Sequence, residues 1–230
     1  VLNLNKPTDI TLRTSVISVL SKTCAVYGNL LYFIDGLNIK VYDIVSPTLE
    51  LLNTIVMTFQ YDRMIATQNY LYMWTTAGSF SGYALLRLSD NNVTIKLPTI
   101  EAIDNQVKNM ILSDQYIYIS SMRDDGAYKV GRYWKINNSL PETPTYINRS
   151  GLSTRSFAIN MTVINDLVSI SPNAPAYVFP FVSDPMPSFS LYDTTTSPWS
   201  LVSSSWLIGN GNAYLFSGSK NYISQGSSLY

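Results

Sequence analysis

The sequence predicts an all-β fold, and within that class a five-bladed β-propeller with four-stranded antiparallel blades. Two observations carry this expectation: a strand–turn–strand pattern that recurs five times, and a composition poor in charge and rich in strand- and turn-forming residues. Hydrophobic residues make up 46% of the 230 and charged residues 13%, about half the charged share of an average soluble domain. A buried core is therefore expected and disorder is not. The polar surface must come from Ser, Thr, Asn and the 17 Tyr, residues that favour strands and turns over solvated helices.

Composition also excludes functions. Fifteen basic residues balance fifteen acidic ones, so there is no net field to draw in nucleic acid or an anionic membrane. No histidine occurs, which rules out His-dependent triads and His-ligated zinc. The single cysteine, Cys24, cannot form an internal disulfide. No run of about 18 apolar residues is available to span a bilayer, and no charged-then-apolar leader precedes Val1. The lack of an initiator Met points to a processed chain or an excerpt.

The repeat is anchored on turn residues. Its five copies read Cys24 to Phe33, Met64 to Met73, Met110 to Ile119, Met161 to Ile170 and Leu207 to Phe216, each with Asn, Gln or Asp at the sixth position. Those anchors are Asn29, Asn69, Gln115, Asp166 and Asn212, spaced by 40, 46, 51 and 46 residues. Strand side chains alternate between faces, so a repeat must keep the same columns buried. The first column is Cys24, Met64, Met110, Met161 and Leu207. Two more hold Leu31, Leu71, Ile117, Val168 and Tyr214, then Phe33, Met73, Ile119, Ile170 and Phe216. Between them stands Tyr32, Tyr72, Tyr118, Ser169 and Leu215. Inter-blade core is the expected role of these methionines and aromatics.

A third strand is expected at Lys40 to Ile44, Leu85 to Leu88, Tyr133 to Ile136 and Tyr177 to Phe181. A fourth is placed at Leu49 to Ile55, Val93 to Leu97, Thr145 to Asn148 and Ser188 to Tyr192, reached through turn residues such as Ser46-Pro47. The units then run roughly 21–57, 58–103, 104–151, 152–198 and 199–230 plus 1–20 within one domain, 1–230. The last unit lacks a fourth strand, and Thr11 to Leu20 has no partner ahead of the first. Closure of the ring is expected by that N-terminal strand pairing around Lys220 to Ser224, which would hide both edges.

Gly28 to Ile55 contains Leu31-Tyr32-Phe33-Ile34-Asp35-Gly36 and Val41-Tyr42-Asp43-Ile44-Val45-Ser46-Pro47. This segment resembles one repeat of the LVIVD-type propeller family, with its strand, glycine turn and Val-x-Asp-Ile/Val-Ser-x-Pro strand. The resemblance implies a surface-exposed, often non-enzymatic module. The other units keep the hydrophobic pattern but are aligned with Arg87, Lys135 or Pro180 in place of Asp43.

Candidate chemistry is thin. Glutamate occurs only as Glu50, Glu101 and Glu142, none in a first strand, from which channel-lining groups would come. Asp114 and Asp166 fall at the first turn, where capping is their expected role. Asp124 and Asp125 lack the alternating ligands of a cation loop. No phosphate loop, Cys-x-x-Cys pair or nucleophile elbow is present. No catalytic, cofactor or metal residue is therefore assigned.

Four Asn-x-Ser/Thr sequons, at Asn92, Asn137, Asn148 and Asn160, are candidate glycosylation sites. The first three fall in or beside expected turns between third and fourth strands. Tyr61, Arg63, Trp74, Phe80, Arg123, Arg155 and Trp199 lie in or near loops expected on the upper face and are candidate partner-binding residues. The composition resembles that of surface and virus proteins of thermophilic archaea. The expected function is a non-enzymatic extracellular, cell-surface or virion module that binds a partner protein or glycan. The alternatives are a carbohydrate-active enzyme with its site at the propeller channel, and a purely architectural subunit of a filament, capsid or surface layer.

Overall fold

The computed structural model describes residues 2–3, 11–12, 23–45, 49–76, 82–96, 106–124, 129–149, 158–172, 189–205, 211–217, 220–225 and 228–229. All regular structure in them is strand. The strands gather into two compact units, 1–76 with 83–96 and 77–82 with 97–230. No helix among the described residues is long and apolar enough to cross a membrane.

In the first unit, β1 (Leu2–Asn3) pairs with β2 (Thr11–Leu12). A first four-stranded sheet follows: β3 (Cys24–Tyr27), β4 (Leu30–Asp35), β5 (Asn38–Asp43) and β6 (Glu50–Val56). A second holds β7 (Arg63–Ala66), β8 (Tyr70–Trp74), β9 (Tyr83–Arg87) and β10 (Asn92–Lys96). Strand β3 lies beside β7. In the second unit, the third sheet is β11 (Gln106–Ser113), β12 (Tyr116–Asp124), β13 (Lys129–Asn137) and β14 (Thr145–Arg149). The fourth is β15 (Ala158–Ile164), β16 (Leu167–Pro172), β17 (Phe189–Asp193) and β18 (Ser200–Ser205). The fifth has three strands, β19 (Gly211–Ser217), β20 (Lys220–Gln225) and β21 (Ser228–Leu229). Here β11 lies beside β15, and β15 beside β19. Each sheet is an antiparallel meander in chain order.

Two backbone features explain why the turn residues anchor the repeat. The first hairpins of the first four sheets close on a two-residue loop whose second residue is the anchor: Gly28-Asn29, Gln68-Asn69, Asp114-Gln115 and Asn165-Asp166. The first loop residue has φ of +56° at Gly28, +50° at Asp114 and +53° at Asn165, a conformation open to Gly, Asn and Asp and strained for most others. The anchor carbonyl then accepts an N–H from the residue just beyond the third strand: Ile44 to Asn29 (2.9 Å), Leu88 to Asn69 (2.9 Å), Asn138 to Gln115 (2.6 Å) and Thr194 to Asp166 (2.9 Å).

This bond corrects the alignment of the third strands. The residues equivalent to Asp43 are Arg87, Asn137 and Asp193, since each pairs with the first residue of its second strand: Leu30, Tyr70, Tyr116 and Leu167. Asp43, Asn137 and Asp193 each accept the N–H two residues on through Oδ1, at 2.8, 2.9 and 2.8 Å. Where Arg87 interrupts the pattern, Asp90 takes over, accepting the Asn92 N–H at 3.0 Å and pairing with Arg87 Nε at 3.2 Å.

Met64, Met110 and Met161 are buried in equivalent places, each paired across its hairpin with Met73, Ile119 or Ile170. Cys24, in the same column opposite Phe33, is exposed. The tyrosine column is as buried as its flanks, with Tyr32, Tyr72, Tyr118 and Ser169 all in the core. In the second, third and fourth sheets the flanking columns are buried too, so those second strands have core on both faces, whereas Leu31 and Phe33 of the first sheet are half-buried.

Two expectations are corrected, and a third falls mostly outside the described residues. The third strand of the fourth sheet is β17, Phe189–Asp193, and its fourth is β18, so the expected placement of Ser188 to Tyr192 is one strand out; Tyr177 to Phe181 lies outside the described residues. The fifth hairpin turns after Ser217, which pairs with Lys220, and Asn212 lies in the first strand at a register shift between Gly211 and Ala213. Two glycine-rich turn sequences compete there, and the later one takes the hairpin. Of the strand expected to close the ring, Thr11 to Leu20, residues 13–20 lie outside the described residues. Thr11 and Leu12 pair with Asn3 and Leu2, while β20 has β19 and β21 as partners.

Candidate functional site

The densest polar chemistry lies between the third and fourth sheets. Lys135 occupies the β13 position paired with Tyr118, a column filled by Val41, Leu85 and Leu191 in the first, second and fourth sheets. It is 4% exposed, and an unpaired ammonium there would cost several kcal/mol. Its Nζ instead donates to Asp166 Oδ1 at 2.7 Å and Thr194 Oγ1 at 3.2 Å, and lies 4.4 Å from the Tyr116 ring centroid and 5.8 Å from that of Tyr118. Burial works to lower its pKa. The hydrogen bond to Asp166 and the neighbouring Tyr118 and Asp166 outweigh that, and the ammonium is held above its ordinary range.

A second set of bonds continues from Thr194. Its Oγ1 donates to the Asp166 carbonyl at 2.9 Å, and its own carbonyl accepts from Asn148 Nδ2 at 3.0 Å. Asn148 Nδ2 also reaches the Thr196 carbonyl at 3.1 Å, and its Oδ1 accepts the Trp199 Nε1–H at 2.7 Å. The Trp199 ring packs on Tyr118 and Tyr133, centroids 6.3 and 6.5 Å away, in a core shared with Met161, Val168, Ile170 and Tyr192. The cluster ties β13 and β14 to the fourth sheet. With the ammonium and carboxamide committed to these bonds, its chemistry is that of a clamp.

The residues expected to form a contact patch divide. Tyr61, Trp74 and Trp199 are buried, which corrects their reading as exposed aromatics. Arg63 is half-buried, its Nη1 donating to the Asp62 carbonyl at 2.7 Å, beside an Asp62 carboxylate that accepts the Thr76 N–H and hydroxyl at 2.9 and 2.7 Å. Arg123 lies in β12; Phe80 and Arg155 lie outside the described residues. Of the sequons, Asn92 is exposed at the start of β10, Asn137 is half-buried at the end of β13, Asn160 lies within β15, and Asn148 is 3% exposed. Asp114 and Asp166 do stand in hairpin loops, but Asp166 also carries the Lys135 bridge, a role its turn position conceals. Glu50 and Glu142 are exposed. No group of three His, Cys, Asp or Glu that could hold a metal occurs among the described residues.

Exposed apolar residues include Val26 and Tyr27 of β3 and Leu37 and Leu140 in turns, and two groups lie on fourth strands. In β6, Leu51 and Leu52 are half exposed and Val56 is 75% exposed, with Glu50 the strand's one charge. Among the described residues, β6 is at the edge of its sheet and pairs only with β5. The Asn53 side chain accepts the Thr54 N–H at 2.8 Å. Leu201 and Val202 of β18 are exposed on the outer strand of the fourth sheet. The signal for these residues is present as apolar runs in fourth strands, which binary patterning assigns to core.

No protein-family model matches the chain, and no curated protein matches it in sequence, so the LVIVD-type likeness rests on Gly28 to Ile55 alone. Solved structures are similar in fold. Hydrazine synthase of Kuenenia stuttgartiensis matches with a TM-score of 0.58 at 11% identity, over 87% of this chain and 60% of that one. The extracellular domain of a one-component system of B. thetaiotaomicron matches at 0.56 and 10% identity, over 96% and 28%. A chain from an S. cerevisiae complex of Dbp5 with Nup159, Gle1, IP6 and ADP matches at 0.53 and 7% identity, over 94% and 55%. This chain thus spans less than two thirds of each of those three. Identities this low concern the fold alone.

Proposed function

We propose that the chain is a non-enzymatic interaction module of an extracellular, cell-surface or virion assembly, with its five larger sheets as blades of one five-bladed propeller. The observation that carries the partner reading is β6: an edge strand with three exposed apolar side chains, one charge and no Lys or Pro to guard it. Native edges are ordinarily blunted by such guards, and uncovered apolar patches mark contact surfaces. Because Asn53 already satisfies the Thr54 N–H, contact is made by side chains rather than by strand addition. An apolar strip favours a partner protein over a glycan. The low charge and the sequons support an external location.

A photo-crosslinking residue at position 52, in protein within its native source, tests the partner reading, with exposed Ser89 as the control position. A discrete protein adduct from position 52 and none from 89 is expected; no adduct, or the same adducts from both, would overturn it. Solution scattering tests the propeller. One compact body of this length has a radius of gyration of about 17 Å, and a clearly larger value would mean separated units.

A further inference from the structure

The four sequons are equivalent in sequence, and the fold separates them. We propose that Asn92 is an N-glycosylation acceptor of this chain and that Asn148 is not. Asn92 opens β10, the outer strand of the second sheet, directly after a turn in which Asn91 has φ of +56°. Its side chain is exposed, its backbone N–H is held by Asp90 Oδ1, and no hydrogen bond from a described residue occupies its carboxamide. Val93 and Thr94 continue a strand that, among the described residues, pairs only with β9, so the sequon lies along the outer edge of its sheet.

At Asn148 the same three-residue pattern is spent on the core. Both Nδ2 hydrogens go to the Thr194 and Thr196 carbonyls, and Oδ1 holds the Trp199 indole. Attaching a sugar would break these bonds inside the cluster that joins the third and fourth sheets. Asn160 lies within β15, which has β11 on one side and β19 on the other. Asn137 keeps its Oδ1 on the Ser139 N–H at 2.9 Å.

The transfer needs an oligosaccharide linked through C1 to a lipid diphosphate. Asn92 Nδ2 forms a bond to C1, the C1–O bond to the diphosphate breaks, the lipid diphosphate leaves, and one Nδ2 proton is released. A glycan here would cover the outer edge of the second sheet. The proposal stands independently of the partner surface on β6.

The test is secretion of the full chain, behind an added signal, from cells that carry out N-glycosylation. Intact mass and the peptide spanning 88–96 are then read before and after enzymatic deglycosylation. A glycan on Asn92 is expected, lost in Asn92→Gln and Thr94→Ala, and retained in Thr94→Ser, with all variants secreted at the wild-type melting temperature. Secreted, folded protein with an unmodified Asn92, or with a glycan on Asn148, overturns the proposal.

Discussion

Lys135 on β13 and Asp166 in the first hairpin loop of the fourth sheet meet at 2.7 Å, although the third strands of the first, second and fourth sheets place Val or Leu where the lysine stands. A charge has been admitted to a core column because the neighbouring repeat supplies its partner. Removing the partner therefore costs more than removing both. Asp166→Ala should destabilise by about 1–3 kcal/mol, a range lowered because Asp166 is almost half exposed. Lys135→Met should stay within about 1 kcal/mol of wild type, and the double variant should be more stable than Asp166→Ala. Urea midpoints of the four proteins decide this, and a double variant less stable than either single one would refute it.

Asn148 should prove a structural residue of the same cluster. Asn148→Ala strands the Trp199 indole N–H and removes the donor to two carbonyls, an expected loss of about 2–3 kcal/mol. Pairing it with Trp199→Phe, which removes the stranded indole, should cost less than the sum of the two single changes. Strict additivity in denaturant melts would place the indole bond outside the energetics.

What can be read from the residues follows turn chemistry. Gly28-Asn29, Asp114-Gln115 and Asn165-Asp166 hold loops that only a few residue types tolerate, so the hairpins and the Met64, Met110 and Met161 column are legible locally. The fifth hairpin is misplaced by pattern because two loops of the same chemistry, Gly209 to Asn212 and Ser217 to Ser219, stand within one strand length of each other, and pairing chooses between them. The third strand of the fourth sheet is misplaced for the same reason: Tyr177 to Phe181 reads as strand, yet Phe189–Asp193 pairs with β16. The buried roles of Lys135, Asn148 and Trp199 are hidden because their partners lie 31 and 51 residues away. Local pattern sees a lysine, a sequon and a loop tryptophan.

Asp193 should give the fold an acid-dependent component. The Thr195 backbone and hydroxyl hydrogen bonds, with the Lys135 charge, hold its carboxyl below the ordinary carboxylate value. A depressed folded pKa contributes stability that is complete above the unfolded value, about 3.9, and is lost as pH falls toward the folded one. Asp193→Asn should thus narrow the difference in melting temperature between about pH 5 and pH 2.5. The change should be small, because Asn137 makes the equivalent bond with a neutral carboxamide. An unchanged or wider difference would show that the Thr195 bonds do not favour the ionised form.

The repeat predicts equal roles for the first-strand column, and the structure breaks that equality at one end. Met64, Met110 and Met161 are buried opposite Met73, Ile119 and Ile170, whereas Cys24 stands exposed opposite a half-buried Phe33. Truncating a buried methionine removes apolar surface and leaves a cavity, costing about 2–5 kcal/mol; an exposed side chain has no such cavity to leave. Met110→Ala should therefore lower stability by that amount, and Cys24→Ala should change it by no more than about 0.5 kcal/mol. Because Cys24 is the chain's single cysteine, its accessibility can be read directly: a thiol reagent should label the native protein at nearly the rate of the denatured one. Equal costs at positions 24 and 110, together with a thiol protected until unfolding, would mean that the first sheet's Cys24 face is covered in solution as fully as its counterparts.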